Sequence, residues 1–398
     1  MRPLDFKVSG FLFSGISEGI KKDGKRDLGL IYSDVPAQVA GLFTTNAIKA
    51  APVLLDIERI RKGLCQAVIV NSGNANACTG GRGLRDARRI SSLVAKGLGI
   101  DERLVFPAST GVIGSPLPMR KIKEGIPKLI ENLSPEGWMK TVEAIMTTDT
   151  IPKVEVATCR IKGEQVKLCG MVKGAGMIRP NLATMLSFLV TDANFKAPLL
   201  QRMLERAAED SYNRITIDGE TSTNDTVLLL ANGKAGHPSL SRMDRDGEVF
   251  QSMLSKVCQN LARSLVKDGE GATKFIEILI QGARNGEDAK RAAYGIAHSP
   301  LVKTAFFGGD ANWGRILSAL GHSGAQINPN RIDVFFDQVP IVRNGMGVGS
   351  QLEGKAGQIL KKKSFRVIVD LHQGKSQFSV LTTDLSIDYV KINASYRS

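Results

Sequence analysis

The chain has 398 residues, 42% of them hydrophobic, which argues against disorder and allows about two or three domain-sized units with a large buried core. Its formal net charge of +14 comes from scattered basic residues and only 6% of residues are aromatic, which disfavours nucleic-acid binding and favours a charged surface that attracts anionic substrates. The five cysteines include no CxxC pair and the N-terminus lacks an apolar signal segment, so the sequence predicts a cytoplasmic protein with reduced thiols. No apolar run approaches ~20 residues, which predicts that the chain does not span a membrane.

Strand-like and helix-like patterns alternate along the chain, which predicts a mixed α/β fold. In chain order we predict strands at 28–32 and 67–70, helices at 90–98 and 199–208, a strand at 226–230, a helix at 250–265, a strand at 275–280, helices at 289–296 and 316–320, and strands at 334–336, 365–369 and 378–381. The glycine-rich segment 345–350 is predicted to be a loop. The sequence has no evident internal repeat or linker.

Residues 173–186 join a loop rich in glycine and proline to an apolar, strand-like run that begins at Met185. Thr184 stands at this junction and has two interpretations, an ordinary strand-forming residue or a nucleophile. A threonine hydroxyl needs an adjacent base, and cutting the chain just before the threonine frees an α-amine, with a pKa of about 8, that can serve as one. The second interpretation predicts self-cleavage between Ala183 and Thr184 into chains 1–183 and 184–398.

The same segment resembles the signature of the ornithine acetyltransferase family of arginine biosynthesis, also called glutamate N-acetyltransferases, with Leu182 where that signature usually has methionine. Further motifs that resemble the family follow in order at 10–11, 15–16, 43–46, 71–80, 109–114, 147–150, 268–274, 308–315 and 393–398. The resemblance therefore covers nearly the whole chain. It implies that family's own α/β fold, related in layout to the N-terminal-nucleophile hydrolases but with a different topology. It also implies autoproteolysis with Thr184 as the catalytic nucleophile and substrate contact.

Thr110 and Gly111 could form a simple turn, but they could also serve acyl transfer. That reaction passes through an oxyanion that needs preorganised donors, each worth ~3 kcal/mol, and a threonine hydroxyl beside a glycine N–H is a compact donor pair. The resemblance assigns the oxyanion hole to these two residues. Lys173 would by itself be an exposed loop lysine. The resemblance implies that it binds substrate, and its charge could also tune the nucleophile.

Three other polar positions acquire a role only through the resemblance. Thr147 and Thr148 lie in a polar segment that otherwise suggests a helix cap or a turn. The family has a substrate contact there, and we favour Thr147 over Thr148. Glu270, in a short Asp-Gly-Glu-Gly sequence, could be a solvated acid in a tight turn, whereas the resemblance implies contact with substrate.

The end of the chain carries the last expected substrate contacts, Asn393 and Ser398, again by resemblance. Ser395 stands where the family usually has aspartate, so the sequence departs from the pattern within this tail. The segment 308–315 also resembles a family signature, and we interpret it as a structural loop before a helix, without a catalytic role.

The function that the resemblance implies is transfer of an acetyl group from N-acetylornithine to glutamate, through acetyl-Thr184. Ornithine leaves and N-acetylglutamate forms, without a metal or organic cofactor. The four histidines are dispersed, and neither a Walker loop nor a GxGxxG after a strand is present. Acetyl-CoA as a second donor is left open, and the resemblance implies an α2β2 heterotetramer. The alternatives are an N-terminal-threonine amidohydrolase or aminopeptidase, with water as acceptor, and a basic nucleic-acid-binding protein, which the scattered charge disfavours.

Overall fold

Helices packed on mixed β-sheets build the part of the chain that the computed structural model describes, residues 6–179 and 185–395. These residues form two units. The first contains residues 6–179, 185–213 and 220–265, and the second contains 214–219 and 266–395. The predicted α/β class is confirmed. The predicted chains 1–183 and 184–398 are a different division, because they result from cleavage of one peptide bond and not from spatial grouping. That cleavage stays a prediction.

The first unit is organised around a sheet to which eight strands of the described chain contribute. They are β1 (Phe11–Ile16), β2 (Leu28–Phe43), β3 (Leu64–Asn74), β4 (Val105–Val112), β5 (Lys153–Ile161), β6 (Glu164–Lys173), β7 (Leu186–Thr191) and β8 (Thr226–Ala231). Their order is β4-β3-β2-β8-β7-β6-β5, and β1 pairs with β2. The pairs β3–β4 and β7–β8 are parallel and the others are antiparallel.

Helices cover both faces of this sheet. They are α1 (Ala51–Arg59), α2 (Gly80–Leu98), α3 (Met119–Glu131), α4 (Trp138–Ile145), α5 (Ala197–Glu209) and α6 (Arg245–Lys267), the last two residues of α6 belonging to the second unit. On β3, Ala67 and Ile69 pack into one apolar cluster with α2 and α3, while Val68 and Val70 pack into another with α4. A strand buried on both faces needs an uninterrupted apolar run, and this explains the sequence pattern at 67–70.

The second unit has a sheet whose strands in the described chain are β9 (Phe275–Ala283), β10 (Asp333–Phe336), β11 (Val339–Arg343), β12 (Met346–Gly347), β13 (Ser364–Asp370) and β14 (Ser376–Thr383). Their order is β12-β11-β10-β13-β9-β14, with only β9 and β13 parallel. Its helices are α7 (Gly286–Ala297), α8 (Pro300–Gly308), α9 (Trp313–Gly321), α10 (Ser350–Leu360) and α11 (Ile387–Ser395). Ile276, Ile278 and Ile280 alternate along β9 and are fully buried.

The predicted strands and helices are all found, with shifted ends. The prediction of a loop over 345–350 is wrong in part, because Met346–Gly347 forms the short strand β12 and α10 begins at Ser350. The segment 308–315 contains the turn between α8 and α9, where the side chain of Asn312 accepts from the Arg315 N–H at 3.2 Å and caps α9. No helix of the described chain is long and apolar enough to cross a membrane.

Candidate active site

The end of β4 is pressed against the end of β3 at Gly111. The two strands run parallel, and Gly73 is the register partner of Gly111. Gly111 has φ +127°, and a Cβ there would lie 2.4 Å from the carbonyl carbon of Gly73 and 2.5 Å from the Asn74 nitrogen. Backbone atoms have no room to yield, so only glycine fits. The predicted pair of Thr110 and Gly111 therefore lies in β4, at a close approach of two strands, and does not form a simple turn.

A buried lysine contacts Thr110. Lys173 is the last residue of β6, is 2% exposed, and donates from Nζ to the Thr110 Oγ1 at 2.6 Å. The interpretation as an exposed loop lysine is wrong. Because an ammonium group can only donate, the Thr110 oxygen accepts, and its own hydroxyl proton is directed to another acceptor. A polarised hydroxyl at a strand end is a suitable donor for an oxyanion.

Side-chain amides hold the chain after β3 against β4. Asn71 donates to the Asn74 carbonyl at 2.8 Å and accepts from the Ser109 hydroxyl at 2.6 Å. The Asn224 amide donates to the carbonyls of Ala75, at 2.6 Å, and of Ser109, at 2.7 Å. The asparagine-rich motif at 71–76 thus stabilises the backbone that surrounds Thr110. The sequence pattern at 71–76 did not predict this role. Asn224 was not predicted either, because its partners are far away in the chain.

Ala183 and Thr184, the predicted cleavage site and nucleophile, lie outside the described residues. Just beyond them, the Met185 N–H donates to Asp225 Oδ1 at 3.0 Å. Leu186, the first residue of β7, pairs with Lys173 on one side and with Thr226 on the other. The chain that leaves Thr184 is therefore fixed beside the strand that ends at Lys173.

Asp225 is an acid that sequence reasoning missed. Its side chain is buried, and burial raises the pKa of this carboxyl well above its usual range, while the Met185 N–H and the charge of Lys173 oppose that rise only in part. Burial therefore favours the neutral form of this carboxyl, next to the start of β7. It stands directly after Asn224, so both residues come from the entry to β8.

The segment 147–150 follows α4 and is organised by Asp149. Its Oδ2 accepts from the Thr147 N–H at 3.0 Å, and its Oδ1 accepts from the Gly174 N–H at 2.7 Å and from Lys153 Nζ at 2.6 Å. Thr147 and Thr148 are half-buried, and Thr147 is among the residues that line a cavity of about 510 Å³. The backbone of Thr147 is thus tied to the residue that follows Lys173.

Glu270 and Asn393 come together within the second unit. The Asn393 amide donates to Glu270 Oε2 at 2.9 Å, although 123 positions separate the two residues. The turn of Glu270 approaches α11 closely, because a Cβ on Gly271 would lie 2.4 Å from the Tyr389 nitrogen. Ser398 lies outside the described residues. Two of the substrate contacts expected from the resemblance are therefore direct neighbours.

The described chain thus combines a mixed α/β fold with a threonine hydroxyl that is held by a buried lysine beside a glycine backbone. The class of protein, an acetyltransferase, follows from its relatives. The sequence model of the ArgJ family matches residues 12–398. The arginine biosynthesis bifunctional protein ArgJ of Geobacter sulfurreducens is 54% identical over 391 residues, which cover 98% of this chain and 100% of that protein. The protein of that name from Syntrophotalea carbinolica is 51% identical over 394 residues, with coverage of 98% and 100%. The chain therefore belongs to the ArgJ family, the acetyltransferases of arginine biosynthesis.

Among solved structures, the chain is similar to the arginine biosynthesis bifunctional protein ArgJ of Bacillus halodurans. The match has 38% identity and a TM-score of 0.49, and it covers 52% of this chain and 96% of that one.

Proposed function

We propose that this chain is a glutamate N-acetyltransferase that acts by a ping-pong mechanism after cutting itself between Ala183 and Thr184. The bond between Lys173 and Thr110 carries the proposal. This bond supports the role of Thr110 as an oxyanion donor at the end of β4. The strand β6, which ends at Lys173, is paired with the strand that begins two residues after Thr184. Lys173 and the segment that follows Thr184 thus lie on the neighbouring strands β6 and β7, and the bond from Lys173 reaches Thr110 on β4.

In the first half-reaction, the Thr184 hydroxyl attacks the acetyl carbonyl of N-acetylornithine. Its own α-amine takes the hydroxyl proton and passes it to the leaving amine, so that ornithine departs and acetyl-Thr184 remains. The Thr110 hydroxyl and the Gly111 N–H stabilise the oxyanion. Glutamate then takes the acetyl group by the reverse sequence, which gives N-acetylglutamate and regenerates Thr184. No metal or organic cofactor takes part.

Substrate recognition in this proposal uses the carboxylates and ammonium groups of the two amino acids. Lys173 is suited to a carboxylate and Glu270 to an ammonium group, with Thr147, Thr148, Asn393 and Ser398 as polar contacts. The word bifunctional in the names of the relatives supports a second activity. We propose acetyl-CoA as the acetyl donor of that activity. We further propose that the cleaved chains assemble as an α2β2 heterotetramer in the cytoplasm.

The test is an intact-mass measurement under denaturing conditions, followed by a transfer assay. We expect two species, residues 1–183 and 184–398, from the wild-type protein and a single inactive species from T184A. Retained transfer in T184A would contradict the role of Thr184. Continued release of ornithine, beyond the single turnover that acetylates Thr184, only when glutamate is present supports the transferase. Equal continued release without glutamate would favour the amidohydrolase alternative.

A further inference from the structure

Asp149 connects three segments of the candidate site through one fully buried carboxylate. Oδ1 accepts from the Gly174 N–H at 2.7 Å, and Gly174 directly follows Lys173. The same oxygen accepts from Nζ of Lys153, the first residue of β5, at 2.6 Å. Oδ2 accepts from the Thr147 N–H at 3.0 Å. Both oxygens are therefore used, and they hold the end of β6, the start of β5 and the turn after α4.

The charge of Asp149 matters as much as its contacts. Lys153 and Lys173 are 1% and 2% exposed, so two cations are buried around this one acid. Burial alone would raise the pKa of Asp149, but Lys153, Lys173 and the Gly174 N–H lower it overall, so the group is a carboxylate at neutral pH. Removal of this carboxylate would take away a negative charge that compensates both buried ammonium groups, which is strongly unfavourable.

The position of the Gly174 N–H decides where Lys173 points. Gly174 has φ +149°, so the backbone turns sharply just after β6, and the bond to Asp149 holds this turn. Lys173 lies immediately before the turn, and its Nζ reaches Thr110 Oγ1 at 2.6 Å. A displacement of the turn would move the ammonium away from the hydroxyl that it polarises.

We propose that Asp149 is a positioning residue for acyl transfer: it fixes the end of β6 so that Lys173 polarises the Thr110 hydroxyl toward the oxyanion. The inference rests on the proposed function, because it assigns to Asp149 the alignment of the donor used in that reaction. It acts on the transition state more than on substrate binding, so its loss lowers kcat more than it raises KM.

Three variants separate this role from simple stabilisation. K153M removes one of the two buried cations but keeps Asp149. Its kcat is expected to stay within about threefold of wild type, since the bonds from the Gly174 and Thr147 N–H groups to Asp149 remain. D149L/K153M removes both charges and all acceptors, and kcat is expected to fall roughly hundredfold, the usual effect of a misplacement of about 1 Å. D149N/K153M keeps one carbonyl acceptor for an N–H group, and its kcat should lie between the other two.

The matched control is Asp192, whose Oδ1 accepts from the N–H of Lys167, also on β6, at 2.9 Å. Lys167 precedes Lys173 by six residues, a distance of roughly 20 Å along a strand. D192L should therefore lower the melting temperature without changing kcat per cleaved molecule. If D149L/K153M does not fold, D149N/K153M decides, with a kcat at least about tenfold below that of K153M.

Equal kcat in K153M and both Asp149 variants would overturn the inference, as would a fall of the same size in D192L. A change confined to KM would also overturn it. These failures differ from a failure of the proposed function, in which the wild-type protein itself would neither cut its chain nor transfer acetyl groups from N-acetylornithine to glutamate.

Discussion

Single residues of this site act through one another, and Lys173 is the strongest case. The resemblance to the family implied a contact between Lys173 and substrate. The bond from its ammonium to Thr110 supports a second task in the proposed reaction, the polarisation of that hydroxyl. The two tasks have different kinetic signatures. A pure substrate contact affects KM, while a contact that strengthens as the oxyanion forms affects kcat.

We expect K173M to lower kcat by about two orders of magnitude, the typical effect of losing one oxyanion donor. The test is a double-mutant cycle with T110V, measured as steady-state kinetics per cleaved molecule. If Lys173 acts through Thr110, the double variant will be no slower than the more impaired single variant. Effects that multiply would show that the two residues act independently, and a change in KM alone would favour the substrate contact.

At the scale of the elements, the sequence contained most of the fold but little of the polar network of the site. The strands β2 and β3 and helices such as α2 and α6 were predictable because their apolar patterns record which faces are buried. The short strand β12 was missed because two residues carry no periodic pattern. Asp149, Asn224 and Asp225 were missed for another reason: each looks like a turn residue, and only contacts with distant segments bury it.

The helix α1 contains a buried acid that is unfavourable for stability. Asp56 is 1% exposed, and neither carboxylate oxygen has a hydrogen-bond partner within the described parts of the chain. Burial raises the pKa of this carboxyl well above its usual range, and the charge of Arg59 opposes this only in part. Because the pKa is higher in the folded state, the unfolded chain releases this proton more readily. The contribution of Asp56 to the free energy of unfolding is therefore most favourable below the pKa of about 4 that this carboxyl has in the unfolded chain. It declines as the pH rises toward the pKa of the folded state.

We accordingly expect D56N to be more stable than the wild type at pH 8 by about 1–3 kcal/mol, since the amide carries no charge to be released. The gain should shrink as the pH is lowered toward 5. Urea denaturation at several pH values measures it. E58Q, on an exposed position of the same helix, is the control and should show no such trend. A pH-independent difference, or the same trend in E58Q, would contradict the argument.

At the scale of the whole molecule, the proposed cleavage divides the chain but not the sheet of the first unit. The strands β7 and β8 belong to the second predicted chain, yet they lie inside the sheet order, β7 paired with β6 and β8 paired with β2. Residues 1–183 therefore supply both neighbours of the inserted pair. The apolar side chains of β7 and β8, such as Phe188 and Leu228, pack in one cluster with residues of the first predicted chain.

Cleavage should therefore leave two polypeptides that do not separate without denaturant. We expect native mass spectrometry to show residues 1–183 and 184–398 always together, and denaturing conditions to release them singly. Residues 1–183 made alone should be insoluble, because β2 and β6 would then expose unpaired edges and an open apolar core. Production together with residues 184–398 supplies the missing strands and should restore solubility. A soluble, folded fragment 1–183 would contradict this argument, since a sheet that loses two central strands retains neither its hydrogen bonds nor its core.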